Sequence, residues 1–389
     1  MSIPDLLWLL LPVAAVAGWF AAKRSDAKRP DAFWDYTNNF HQGLNVLLSE
    51  QQGKALELFD DLSGTSRDTA DTHIALGNLY RRRGEVERAI LLHQSVIDKV
   101  ALPEDIRETA RFELARDYGS AGLLDRSEHV LHELLGSEHR RGDAYDSLLQ
   151  LHEQEQDWEQ AIAVAIEFEK NTGNNARARI AHYYCERAVL AQKQQQTASA
   201  AEFLEKARRH HPQCARALMM QASMALEAGD HDLSLTLYGQ VESLRPELMP
   251  EIIDSRFAAL KAANQPLQLL AFVKRIHEQK NAYSVIRSTR AVIAELHSSE
   301  AADRFFKDQI LKRPSLKGLR DWVHDQVALS KPGERDKVQV ICGLLDQVVE
   351  DKPAYRCNSC GFQGNVMHWR CPSCGQWDSV STIIGVEGE

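Results

Sequence analysis

Residues 73–97 read HIALGNLYRRRGEVERAILLHQSVI and are the stretch that most clearly indicates how this chain folds. Apolar residues recur at helical spacing on either side of Gly84, so the stretch predicts two amphipathic helices joined at that glycine. Glycine suits a chain reversal because it adopts backbone conformations that other residues avoid. The small residues Gly77 and Ala89 would let the two helices pack closely side by side. We therefore predict an antiparallel helical hairpin here.

The same pattern recurs along the chain. Small residues recur at steps of 34, 38, 34, 39 and 34, at Ala55, Ala89, Ser127, Ala161, Ala200 and Ser234. Because neighbouring hairpins with a period near 34 residues bury a shared core, this spacing is typical of tetratricopeptide (TPR) repeats. We predict an all-α TPR superhelix over residues 39–250. The step of 39 leaves five additional residues, either in the loop 171–175 or in the glutamine-rich run 192–196.

After Pro250 the repeat pattern weakens but the chain still reads as helical. Six amphipathic segments are separated by Pro, Asn or Gly, at residues 250–263, 267–280, 282–298, 301–311, 316–329 and 334–349. Terminal units of repeat arrays are often atypical, so we interpret residues 251–350 as degenerate repeats or a helical cap. A separate helical bundle is the alternative.

Four cysteines near the end of the chain form two Cys-x-x-Cys-Gly hooks, residues 357–361 and 371–375. Two such hooks predict a closed tetrathiolate metal site with the ligands Cys357, Cys360, Cys371 and Cys374. Zinc is the expected metal, and iron fits the same ligands. Structural disulfides or redox-active dithiols are the alternatives. His368 would be superfluous as a ligand, because four thiolates fill a tetrahedron.

The hooks belong to a small terminal module, residues 353–389. Short β-prone pieces alternate with the hooks, at residues 354–356, 366–369 and 379–384. A module of about 35 residues has too little apolar core to fold alone, so the metal must contribute folding energy. We expect Tyr355, Phe362, Trp369 and Trp377 to pack around the cluster and over adjoining helices.

Residues 6–22, LLWLLLPVAAVAGWFAA, carry no charge. This length is at the short end for a membrane-spanning helix, for which about 20 residues are typical. Lysines and arginines follow the segment and only Asp5 precedes it, so the positive-inside rule places the rest of the chain in the cytoplasm. We predict a transmembrane anchor over residues 1–22 and a juxtamembrane link over 23–38. Cytoplasmic thiols stay reduced, which favours metal over disulfide.

Composition and motifs restrict the function. A net charge of −9 argues against nucleic acid as a partner. No GxSxG, HExxH or phosphate-loop motif occurs, and carboxylates on polar helix faces are read as solvated surface, so we do not predict an enzyme.

Cys185, Cys214 and Cys342 read as isolated, buried small residues. Candidate groove residues for a peptide partner are Asn78, Arg81, Arg82 and Tyr118.

The order of these parts resembles the lipopolysaccharide assembly protein B family of Gram-negative bacteria. The resemblance covers the anchor LLWLLLPVAA, the repeat LGNLYRRRGEVERAI, the segment AHYYCERA at 181–188, and the ending YRCNSCGF and HWRCPSCGQW. It implies that the terminal module is rubredoxin-like and docks on the TPR part. It also implies a single-pass inner-membrane adaptor with its main body on the cytoplasmic side.

The resemblance further implies partners. These are a membrane-bound AAA+ protease, the deacetylase of the committed step of lipid A synthesis, which the adaptor presents for degradation, and an inner-membrane lipopolysaccharide-sensing protein that opposes it. Two other functions stay open. One is a non-proteolytic scaffold for lipopolysaccharide synthesis or transport proteins, and the other is an iron-tetrathiolate redox protein. A homo-oligomer is possible.

Overall fold

The computed structural model describes residues 67–279, 281–350 and 352–388. The predicted anchor 1–22, the link 23–38 and the start of the repeat array lie outside these residues. Within the described ranges, no helix has both the length and the apolarity needed to cross a membrane. The chain divides into two compact units between Ala144 and Tyr145.

The first unit is built of helical hairpins, as the repeat pattern predicts. Its helices are α1 (Arg67–Arg82), α2 (Val86–Ile97), α3 (Glu104–Ser120) and α4 (Leu124–Leu134). Small residues occupy the closest contacts between them. Ala89, Ala110 and Ala115 have no exposed surface, and Ala110 packs in an apolar cluster with buried leucine and isoleucine residues.

The second unit is a longer helical array followed by a small β module. Most of α5 (Arg141–Glu155) belongs to it, and then come α6 (Trp158–Thr172), α7 (Arg177–Lys193), α8 (Thr197–His210), α9 (Ala215–Glu227), α10 (His231–Leu244), a 3-10 turn (Pro246–Leu248), α11 (Met249–Ala262), α12 (Pro266–Glu278), α13 (Tyr283–Leu296), α14 (Ser299–Lys312), α15 (Leu316–Leu329) and α16 (Pro332–Glu350). Three short strands follow, β1 (Tyr355–Cys357), β2 (Gln363–Gly364) and β3 (Val380–Thr382). The six helices predicted after Pro250 are confirmed.

Within the described residues, six hairpins close with the same type of turn, and glycine occupies the turn position in three of them. The turn residue is left-handed, with φ between 51° and 82°, at Gly84, Gly122, Gln156, Gln195, Gly229 and Asn264. The next N–H donates to the carbonyl five residues earlier, as from Glu85 to Tyr80 and from Gln265 to Leu260, which is a Schellman cap. The α11–α12 hairpin, which lies beyond Pro250, closes with the same turn as the hairpins before it.

The additional residues of the 39-residue step lie in neither predicted loop. The turn 194–196 is three residues long, as is the turn 83–85. Helix α7, in contrast, has 17 residues where the equivalent α9 has 13, and α6 has 15 where the equivalent α8 has 14, so the two helices hold all five additional residues. One extra helical turn adds about 3.6 residues and leaves the apolar face in register, so the helix absorbs the insertion without disturbing the core.

The cysteines outside the hooks are buried, as predicted, but two of them are not isolated. Cys185 on α7 and Cys214 at the start of α9 belong to one apolar cluster. A hydrogen bond between the two thiols lowers the pKa of Cys214 to about 6, and the same bond together with burial raises the pKa of Cys185. Cys342 is 5% exposed on α16.

A buried polar network joins the helices of the first unit. Arg81 donates to Asp117 Oδ1 at 2.7 Å, and His93 Nδ1 lies 2.5 Å from Asp117 Oδ2. Neither the His93 nor the Asp117 side chain is exposed. The His93 ring lies against Gly77, where an added Cβ would come within 2.5 Å of Nε2. The absence of a side chain at Gly77 therefore makes room for the His93 ring.

We predict that Gly77→Ala destabilises the first unit although alanine is the better helix former. The methyl group would displace the His93 ring, and overpacking of this kind costs about 1–3 kcal/mol, against about 0.5–1 kcal/mol gained from helix propensity. Native-state hydrogen exchange of α1 and α2 would measure the loss.

Gly119→Ala on α3 is the matched control. An added Cβ there would meet only Ser127 Oγ at 3.7 Å, an ordinary contact. We expect this variant to be neutral or more stable. Equal protection of α1 and α2 in both variants would show that the contact with His93 does not limit stability.

Candidate metal centre

The two hooks fold into the same backbone structure. In the first, Gly361 N donates to Cys357 O at 3.0 Å, and in the second, Gly375 N donates to Cys371 O at 2.9 Å. Both glycines are left-handed, with φ of 79° and 71°. Each hook can therefore curl its backbone around a pair of sulfurs, because glycine adopts this conformation without strain.

The four sulfurs come together at one point. Within the described residues, the Sγ atoms of Cys357, Cys360, Cys371 and Cys374 lie within 4.8 Å of one another. Sulfurs from opposite hooks are 3.8 Å and 3.7 Å apart, for Cys357 with Cys374 and for Cys360 with Cys371. Metal–sulfur bonds of about 2.3 Å in a tetrahedron give an edge of about 3.8 Å. The spacing fits a tetrahedral S4 metal site.

The thiols differ in how readily they ionise. The Ser379 hydroxyl, 3.3 Å from Cys357 Sγ, lowers the pKa of Cys357 to about 6. The Phe362 N–H lowers the pKa of Cys360, whereas burial raises that of Cys371 to about 11. Because metals bind thiolates, a bound cation would supply the charge that the buried Cys371 thiolate needs.

The strands of the module position the first hook, but few of their residues are buried. β1 is central and antiparallel to both neighbours, with Tyr355 opposite Gly364 and Thr382. The β-prone piece 366–369 is not a strand, and the short strand β2 lies before it. Met367 and Trp369 instead pack against the helices, because that apolar surface is larger than any the sheet provides.

A buried carboxylate joins the module to the helices. Glu153 on α5 is 2% exposed. Its Oε1 accepts from Arg179 at 2.8 Å, Tyr183 at 2.6 Å and Trp377 at 3.0 Å, and its Oε2 lies 2.9 Å from Arg370. Burial alone would raise the pKa of Glu153, but these hydrogen bonds and the charge of Arg179 hold the pKa below its usual value. One side chain thus joins α5, α7 and the second hook.

Aromatic rings surround this carboxylate. Trp377 stacks on the His182 ring at 4.8 Å and meets Trp158 and Tyr183 edge-on at 6.3 Å and 5.9 Å. His182 Nε2 lies 2.7 Å from Asp378 Oδ2. Burial works against ionisation of Asp378, but the hydrogen bond with His182 lowers its pKa overall. The second hook is therefore fixed by charge and by stacking together.

Other parts of the module contact helices further along the array. Met367 and Trp369 pack on a cluster that includes Leu218, Tyr238 and Ile252. The Tyr355 hydroxyl donates to Glu251 at 2.5 Å. A polar cleft of about 1110 Å³ remains beside the second hook, with α5 and α7 as its other walls.

Family comparisons agree with these observations. A model described as a rubredoxin metal binding domain matches residues 355–381, and two tetratricopeptide repeat models match 72–107 and 185–246. Lipopolysaccharide assembly protein B of Escherichia coli strain K12 is 30% identical over 386 residues, which is 99% of each chain. The chain belongs to the lipopolysaccharide assembly protein B family. The Haemophilus influenzae protein of the same name is 27% identical over 396 residues, 98% of this chain and 99% of that protein.

Among solved structures, a crystal structure of MamA aligns with 44% of this chain and 95% of its own, at 16% identity and a TM-score of 0.30. A likeness this low adds nothing to the hairpins described above. The resemblance seen in the sequence is confirmed by the full-length family members.

In this lipopolysaccharide assembly protein B family member, sequence reasoning missed the residues that dock the module. Glu153 was read with the other carboxylates as solvated surface, which is wrong, because its partners come from α7 and from a hook more than 200 residues away. Its local sequence, His152-Glu153-Gln154, gives no sign of burial. His182 and Asp378 were missed for the same reason.

Three of the four suggested groove residues are engaged within the first unit. The Arg81 side chain is 9% exposed and paired with Glu113 and Asp117. Tyr118 is buried, and its hydroxyl accepts from Gln94. Asn78 accepts from Arg81, and Arg82 is exposed. His368 lies near the Phe362 ring and outside the sulfur cluster, as expected.

We predict that Cys371→Ser/Cys374→Ser, or a strong chelator, unfolds the module and leaves the helices folded. A structural S4 site contributes about 10–16 kcal/mol, more than a sheet of this size can replace. Metal content should fall from one ion per chain to none, and the fluorescence of the module's tryptophans should shift to the red. Cys342→Ser, a buried thiol outside the module, should change neither reading.

We also predict that Glu153→Gln loosens the module without removing its metal. Arg179 and Arg370 would lose their shared carboxylate, and breaking a buried ion pair costs about 3–5 kcal/mol. Hydrogen exchange of residues 355–382 should speed up. Glu155→Gln, two residues away on the same helix and half-exposed, should leave exchange unchanged. Identical exchange in the two variants would contradict the role assigned to Glu153.

Proposed function

We propose that this protein is a non-enzymatic adaptor that regulates lipopolysaccharide synthesis by regulated proteolysis. It would present the deacetylase of the committed step of lipid A synthesis to a membrane-bound AAA+ protease. An inner-membrane lipopolysaccharide-sensing protein would oppose it. The observation that carries this proposal is the full-length similarity to lipopolysaccharide assembly protein B, 30% identity over 386 residues.

The architecture supports an adaptor rather than a catalyst. Helical repeats supply extended surfaces for partners and bring no chemistry of their own. Four thiolates would fill the coordination sphere of a tetrahedral metal, so no position would stay open for a substrate or a reactive water. The sulfur cluster thus supports a structural role.

We propose that the four hook cysteines bind zinc. Zinc has no redox chemistry and accepts a closed tetrahedron of thiolates, which suits a site whose task is to hold a fold together. Iron would fit the same sulfurs and would make the module redox-active. Metal analysis together with a visible spectrum distinguishes the two, because an iron tetrathiolate is coloured and changes colour on reduction.

The proposed tether over residues 1–22 would add to this function through effective concentration. Holding an adaptor at the inner membrane raises its local concentration near a membrane-bound protease without any new contact. The main body would then lie on the cytoplasmic side, where the deacetylase can be reached.

We predict that depleting the protein in cells lengthens the half-life of the deacetylase several-fold. The half-life would be followed by immunoblotting after protein synthesis is stopped, with an unrelated substrate of the same protease as the control. Restoring the full chain should shorten the half-life again, and restoring a chain that lacks residues 1–22 should do so poorly.

An unchanged half-life with altered lipopolysaccharide output would contradict the adaptor proposal and favour the non-proteolytic scaffold. A longer half-life for the unrelated substrate as well would indicate a general effect on the protease. Only a selective effect on the deacetylase supports presentation of that enzyme.

A further inference from the structure

A second candidate site lies away from the sulfur cluster, in a groove between α12 and α14. The groove encloses about 590 Å³. Its floor is apolar, formed by Val273 on α12, Ile293 on α13 and Phe305 on α14, all of them buried. None of these residues contributes to the docking of the module described above.

Two contacts link the helices that form the walls. Gln309 on α14 donates to the His277 carbonyl at the end of α12 at 2.9 Å, and the Phe305 ring lies 5.5 Å from the His277 ring. The C-terminal ends of α12 and α14 are therefore adjacent. The eleven residues from Leu267 to His277 rise by ten steps of 1.5 Å, or about 15 Å, a length that matches about three turns of a partner helix.

The two wall helices also carry exposed leucines. Leu267, at the start of α12, is 82% exposed, and Leu311, near the end of α14, is 73% exposed. Leu270 lines the groove at 41% exposure. Leu267, Leu270 and Lys274 lie at helical spacing on one face of α12, so the apolar stripe and the charged rim belong to the same surface.

The rim of the groove is basic. Lys274, His277, His297 and Arg304 line it, against one carboxylate, Asp308. Asp308 is already engaged, with Lys312 at 2.6 Å and with His277 at 3.6 Å. Lys274 and Arg304 are exposed, and neither forms an ion pair with another residue in the described part of the chain. The groove thus offers positive charge that the described residues do not neutralise.

We propose that this groove binds an amphipathic helix of a partner protein, with a leucine-rich stripe flanked by aspartate or glutamate. The stripe would enter the apolar floor and cover the exposed leucines, and the acidic flanks would pair with Lys274 and Arg304. Helix-in-groove recognition combines an apolar stripe for affinity with a charged rim for orientation and choice of partner. The inference does not depend on the proteolytic role proposed above.

The test uses the full chain in detergent and two labelled 18-residue helical peptides. One has leucines at i, i+4, i+7 and i+11 flanked by glutamates, and the other has lysine in place of every glutamate. Fluorescence anisotropy should show that the glutamate peptide binds at least tenfold more tightly than the lysine peptide. A photoreactive group on the bound peptide should crosslink to α12 and α14.

Two groove variants and one control test the location. Lys274→Glu/Arg304→Glu should weaken the glutamate peptide at least tenfold and strengthen the lysine peptide, and Leu270→Asp should weaken both. The control Lys206→Glu/Arg209→Glu reverses two exposed charges on α8 and should change affinity less than twofold.

Equal binding of the two peptides, absence of binding, or binding that survives the groove variants would overturn the proposal. So would self-association of the chain that only the groove variants abolish, because the occupant would then be a second copy. Circular dichroism of each variant confirms that these exposed substitutions leave the helices folded.

Discussion

The buried carboxylate of Glu153 is the interaction on which the position of the terminal module depends. A carboxylate that is 2% exposed is stable only if its charge and its lone pairs are satisfied, and here the donors come from two different parts of the chain. Arg179 and Tyr183 approach from α7, and Arg370 and Trp377 from the second hook. Removing either set would take away one of the two arginines and leave part of the buried carboxylate without its donors. The module and the helices therefore fix each other.

The helical array could be predicted from the sequence because its information is local. In five of the six hairpins a left-handed turn residue is followed five residues later by Ala or Ser, and this fixed spacing can be recognised in the sequence. The glycine that would indicate the turn is absent where Gln156, Gln195 and Asn264 take the left-handed conformation. The extra residues of α7 could not be located for a related reason, since one added helical turn preserves the apolar periodicity that would have exposed it.

The sulfur cluster could be predicted from local sequence, but the contacts that attach the module to the helices could not. A Cys-x-x-Cys-Gly hook encodes its own geometry within five residues, so the grouping of the four cysteines could be expected from spacing alone. The partners of Glu153 are set by the folded array, and no short motif links residue 153 to residues 370 and 377. Residues 366–369 show the limit of local propensity. They read as a strand, but no fourth strand forms there, and Met367 and Trp369 pack on an apolar cluster of the helices.

Local sequence and long-range contacts determine different features of the terminal module. The sulfur cluster gives the module its internal fold, and the contacts of Glu153, His182 and Trp377 give it one orientation on the helices. The cleft beside the second hook has walls from both, so neither the repeats nor the module alone would present that surface. A partner that recognised the cleft would bind only a chain that is both metal-loaded and docked. The groove between α12 and α14 has no such requirement, because its floor and rim come from the helices themselves.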